Sequence, residues 1–80
     1  MWRRVTKNYT VRINSSAKPG DTVIVTMRHG RSVIKFSARV ILQGRYTYVT
    51  IPKAIRDAYG IRPHDEVKII SVSLNGTKEV

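Results

Sequence analysis

The chain contains no cysteine, and its 80 residues include only five acidic side chains, one Trp and one Phe. Without thiols it has neither a disulfide framework nor a thiolate zinc site. Glycine-rich phosphate loops are missing as well. The longest uncharged stretch, Ile69 to Thr77, is much too short to cross a bilayer. Met1-Trp2-Arg3-Arg4 leads into polar residues rather than into the apolar segment of a signal peptide. These features predict an intracellular protein. Catalytic groups are equally sparse: His29 and His64 have no nucleophile or carboxylate near them in sequence except Asp65, and His64-Asp65-Glu66 reads as a helix-to-strand connection. The expectation is a protein that is not an enzyme, with no metal site and no cofactor.

Positive charge is what the chain has in excess. Fifteen Lys and Arg give a formal net charge of +10. Residues 1 to 40 hold nine of them against Asp21 alone, or +8, whereas residues 41 to 80 hold six against four acids, or +2. A surface built only for solubility mixes the signs more evenly. Phosphate backbones bind such a surface by releasing their counterions, so a nucleic acid is the expected partner, held mainly by the first half. One domain is expected at this length, and a lone chain buries only ~60–65% of its unfolded surface, which favours oligomerisation.

Alternation predicts most of the fold. Tyr9 to Asn14, Thr22 to Met27 and Ser32 to Phe36 read as strands, with Ser15 to Asp21 and Arg28-His29-Gly30-Arg31 as connections. The third strand runs on through an expected bulge near Ser37 into Ala38 to Leu42. After a tight turn at Gln43-Gly44, Arg45 to Ile51 forms another strand, with Tyr46, Tyr48 and Thr50 opposite Thr47, Val49 and Ile51. Pro52 opens a helix over Lys53 to Tyr59, whose Ile55, Ala58 and Tyr59 make an apolar stripe while Lys53, Arg56 and Asp57 face away. Gly60 and Arg62-Pro63 stop it. A last strand spans Glu66 to Leu74, and Asn75-Gly76 turns into a tail.

Two segments look alike. Lys7 to Ile13 followed by Lys18-Pro19-Gly20-Asp21-Thr22-Val23 parallels Gly44 to Ile51 followed by Arg62-Pro63-His64-Asp65-Glu66-Val67. This is either a degenerate repeat or the common look of β-hairpins.

The string Gln43-Gly44-Arg45-Tyr46-Thr47-Tyr48-Val49-Thr50-Ile51-Pro52-Lys53-Ala54-Ile55-Arg56, then Tyr59-Gly60-Ile61-Arg62-Pro63-His64-Asp65-Glu66-Val67, resembles the AbrB/SpoVT-type swapped-hairpin DNA-binding domains. His64 stands where that family has Gly, although Lys18-Pro19-Gly20-Asp21 keeps the family form. The resemblance implies an interlocked homodimer in which hairpins of two chains exchange into one β-barrel. The expected fold is therefore mainly β with one short helix: a basic arm over residues 1–8, a β-hairpin extension over 9–36, the swapped-hairpin domain over 37–74 and a short tail over 75–80.

The candidate DNA-binding residues are Arg31, Lys35, Arg39, Arg45, Lys53 and Arg56. Arg45 matches a position where the resemblance implies a DNA-contacting arginine at a turn. Lys53 and Arg56 lie one helical turn apart, and Arg31, Lys35 and Arg39 repeat at intervals of four along a strand. Trp2, Arg3, Arg4 and Lys7 would form the arm. The expected function is sequence-selective or architectural binding of double-stranded DNA by a nucleoid-associated regulator. The rivals are the DNA-binding antitoxin of a toxin–antitoxin pair and an RNA-binding β-module that stacks bases on Tyr9, Tyr46 and Tyr48.

Overall fold

A computed structural model describes residues 2–74; the expected Asn75-Gly76 turn and the tail over 75–80 lie outside the described residues. Six antiparallel strands and one helix follow in the order β1 (Trp2–Arg4), β2 (Thr10–Ile13), β3 (Thr22–His29), β4 (Ser32–Gln43), β5 (Tyr46–Thr50), α1 (Lys53–Tyr59) and β6 (Glu66–Leu74). They hydrogen-bond in the order β1-β6-β3-β4-β5-β2. The Thr6–Tyr9 turn, closed by the Thr6 N–H on the Thr10 carbonyl (3.0 Å), brings β1 beside β2 and nearly closes the sheet into a barrel. No helix among the described residues is long and apolar enough to cross a membrane.

Strand periodicity decides what lies inside. Val23, Val25 and Met27 of β3 are buried, as are Ile34, Phe36 and Val40 of β4 with Ala38 packed beside them, while the alternate residues face outward. Ile34 to Val40 keep one parity, so β4 passes Ser37 without the expected bulge, and its register with β3 is unbroken from Thr22↔Arg39 to His29↔Ser32. The bulge lies in β6 instead, opposite the Thr26/Met27 step of β3. Residues 2–4 are not a free arm, because they pair with β6 as β1. Nor does the chain divide at 36/37, since β4 runs across that boundary and both segments share one core.

The two similar segments take up matching structures. In the first, the Lys18 N–H donates to Asp21 Oδ2 (2.9 Å), the Gly20 N–H donates to the Val40 carbonyl (2.8 Å), and the Val40 N–H donates to the Asp21 carbonyl (2.8 Å). In the second, the Arg62 N–H donates to Asp65 Oδ2 (2.9 Å), the His64 N–H to the Val5 carbonyl (2.7 Å), and the Val5 N–H to the Asp65 carbonyl (2.8 Å). Gly20 and His64 both have positive φ, 94° and 74°, and both turns follow a buried apolar residue, Ala17 or Ile61. The registers agree: Arg39 on Thr22 corresponds to Arg4 on Glu66, and β2 meets β5 symmetrically about Val11↔Val49. A pseudo-two-fold axis therefore maps β1, β2 and β6 onto β4, β5 and β3. Only the second half carries α1 between its strand and its turn.

Pro52 caps α1 from outside the first turn, and Gly60, at φ 64°, ends it in the left-handed conformation. The expected apolar stripe forms only in part, since Ile55 packs on the core while Ala58 is exposed and Tyr59 is 42% exposed.

The Asp65 carboxyl is held below its ordinary value, first by the Arg62 backbone N–H and next by the His29 side chain, whose Nε2 lies 3.0 Å from Oδ2. A lowered native value contributes stability above the ordinary carboxylate range, and that stability is lost as pH falls through the native value. Asp65→Ala should lower stability by about 1–2 kcal/mol near neutral pH. Denaturant midpoints of the two proteins should then converge in acid. Gly20→Ala should cost about 1 kcal/mol at its positive φ, whereas His64→Gly should change stability by less than about 1 kcal/mol, because relieved strain offsets the added freedom of the unfolded chain. Equal losses at both positions in urea titrations would contradict the matched turns.

Candidate nucleic-acid interface

Each acidic side chain in the described residues already has a partner. Asp21 and Asp65 close the two turns, Asp57 lies 3.9 Å from Lys53, and Glu66 lies 3.6 Å from Arg4. The last two pairs are exposed and contribute little to stability. Arg28, Arg31, Lys35, Arg39, Arg45 and Lys68 have no acidic partner among the described residues.

Four of these six share one outer surface. Arg28 on β3 stands directly opposite Lys68 on β6 and Val33 on β4, and Trp2 on β1 stands on the far side of Lys68. Lys35 is opposite Thr26, and Arg39 is opposite Thr22, on the same face. All four cations are exposed, as is Trp2 at 54%. Two like charges directly opposite on neighbouring strands oppose folding. An arrangement of this kind suits an anion that bridges them.

The six residues singled out from sequence do not converge on this surface. Lys35 and Arg39 belong to it, and Arg31 lies beside it in the β3–β4 turn rather than in the strand. Arg45 sits in the turn at the other end of β4, six residues beyond Arg39, or about 20 Å along the strand path at ~3.3 Å per residue. Lys53 is exposed at the first position of α1. Arg56 does not face away as expected. It is half-buried, with its guanidinium carbon 4.0 Å from the centroid of the Tyr9 ring, and its Nε has no partner. Position explains this, because Arg56 adjoins Ile55, the residue that seats the helix on the core.

Sequence reasoning passed over Arg28, Lys68 and Arg12. The sequence pattern puts Arg28 in a connection, yet β3 continues to His29. Lys68 sits two residues from Glu66 on the outward parity of β6, a visible signal, but its position opposite Arg28 depends on the β3–β6 register. Arg12 faces outward on β2, and its guanidinium carbon stacks 3.5 Å from the centroid of Tyr46 on β5. Of the three tyrosines, Tyr9 is half-buried against the core, Tyr48 is half-buried, and Tyr46 is exposed but covered on one face by Arg12.

Comparison with protein-family models, curated proteins and solved structures yields no match to this chain.

Lys68→Glu places an acid opposite Arg28. The variant should gain about 0.2–1 kcal/mol of stability at low salt, and the gain should shrink as ionic strength rises. Thermal or urea unfolding at two salt concentrations measures this, and a loss of stability would contradict the opposed cations.

Proposed function

We propose that the chain binds double-stranded DNA, as a sequence-selective regulator or as an architectural protein that coats the duplex, and that it has no catalytic activity. The observation that carries this reading is the Arg28–Lys68 pair, with Lys35 and Arg39 on the same face and Arg31 at its edge. Five cations on a small curved sheet, with the nearby Glu66 directed to Arg4 and Asp21 and Asp65 engaged in their turns, make a phosphate-binding surface. Arg45, in the turn at the far end of β4, is free to reach a phosphate or a guanine edge, and Lys53 adds a further positive charge. Stacking of single-stranded bases has less support, because Arg12 and Arg56 already occupy faces of Tyr46 and Tyr9.

The homodimer implied by the family resemblance enters the proposal in modified form. Both halves of the barrel come from one chain, so the single barrel is taken as the binding unit. A dimeric mass in sedimentation at micromolar concentration would replace it with the two-chain form.

A salt titration in competition between a random duplex, a matched single strand and a selected duplex tests the reading. With roughly six phosphate contacts, the logarithm of affinity should fall with the logarithm of salt at a slope near −5, and duplex should win over single strand. Preference for the single strand would overturn the proposal. Lys68→Glu and Arg28→Ala should each weaken binding to every duplex alike. Arg45→Ala should cost about 1–3 kcal/mol on the selected duplex and flatten sequence preference if it reads a base.

A further inference from the structure

β6 is paired on both edges only at its start. β1 covers Glu66, Val67 and Lys68, whereas β3 covers the opposite edge as far as Leu74. From Ile69 to Leu74 the β1-side edge has no strand partner among the described residues. The equivalent edge in the other half is filled: the segment Ser32–Phe36 of β4 lies along Val25–His29 of β3. The pseudo-two-fold axis predicts a matching segment beside β6, and β1, with three residues against the twelve of β4, does not supply it.

A groove of about 210 Å³ follows this edge, lined by Arg3, Arg12, Asn14 and the run from Ile69 to Val72. The four consecutive residues Ile69 to Val72, with the bulge at Ile70 among them, line the groove along the strand's edge. From Ile69 to Leu74 the edge contains no charge and no proline, and Ile70 and Leu74 are 50% and 52% exposed. The bulge is its one irregularity. An edge so little protected is a template for another strand.

We propose that this edge docks an extended, acidic peptide segment of another protein, which adds as a strand antiparallel to β6 in the position that Ser32–Phe36 holds against β3. The internal pairing supplies the geometry, and the charge selects the occupant. Two arginines and no carboxylate line the groove, and stacking on Tyr46 fixes the position of one of them. Apolar residues alternating along the peptide would meet Ile69 and Val72, which are half-buried against the core. This site adjoins the Arg28–Lys68 face at Ile69 but shares no residue with it, and the inference does not depend on duplex binding.

The test uses the full chain and a labelled hexapeptide of alternating Val and Glu. Its controls are the same peptide with Lys for Glu, and the Val–Glu peptide N-methylated at alternate residues. Anisotropy should give a Kd of about 10–100 μM for the acidic peptide, at least about tenfold weaker binding for the lysine form, and none for the methylated form. Amide shift changes should concentrate at residues 69–74 and around Arg3 and Arg12, and Arg3→Glu should weaken binding about tenfold. Absence of binding at millimolar peptide, equal affinity for the acidic and lysine forms, or shifts elsewhere would overturn the proposal. So would a dimeric mass with residues 69–74 protected in the peptide-free protein, which assigns the edge to a second copy. Duplex DNA that shifts residues 69–74 and blocks the peptide would assign it to nucleic acid instead.

Discussion

Two aspartate-closed turns hold this barrel together. In each, a carboxylate accepts the backbone N–H three residues before it, and the turn then exchanges two backbone hydrogen bonds with a distant buried valine, Val40 of β4 or Val5 just after β1. These contacts do more than satisfy buried polar groups. They set the register of β4 on β3 and of β1 on β6, and register decides which side chains face the core and which face outward. A slip of one residue would bring Lys35 and Arg39 inward and turn Ile34 and Phe36 to solvent.

The same economy governs charge. With so few acids, and those occupied in turns or in exposed pairs, the barrel cannot neutralise its outer face from within. The Arg28–Lys68 opposition costs stability, and under the proposed function it is what makes the face suited to phosphate. The open edge of β6 is a second such concession. Natural sheets usually shield an edge of this kind, and among the described residues it runs beside two arginines with no strand over it. The molecule thus presents two surfaces of different chemistry: one of exposed cations across several strands, the other of backbone hydrogen-bonding groups.

Much of the fold was legible because alternation and turn chemistry are local. The bounds of α1 and the shared face of Val49 and Ile51 follow from the residues themselves, as does the left-handed stop at Gly60. His64 stands where the family that residues 43–67 resemble has Gly. Partnership was not legible. Nothing local in Trp2-Arg3-Arg4 distinguishes a mobile arm from a strand, because its pairing with β6 spans more than sixty residues. The expected bulge at Ser37 failed for the same kind of reason: β3 and the core hold β4 regular, and the irregularity falls in β6. Arg56 looked solvent-facing on a helical wheel, and only the position of Tyr9 shows where its guanidinium goes. The opposed cations required register, which no single strand contains.

The matched turns close loops of very different length. Gly20 reaches Val40 across 20 residues, whereas His64 reaches Val5 across 59. By loop-closure entropy alone the longer closure is less favourable by about 1 kcal/mol, although the bonds formed are alike. Loop closure alone therefore favours the β3–β4 contact over the docking of β1 on β6. Native-state opening is expected first where β1 lifts from β6, and each such excursion would lengthen the exposed strand edge.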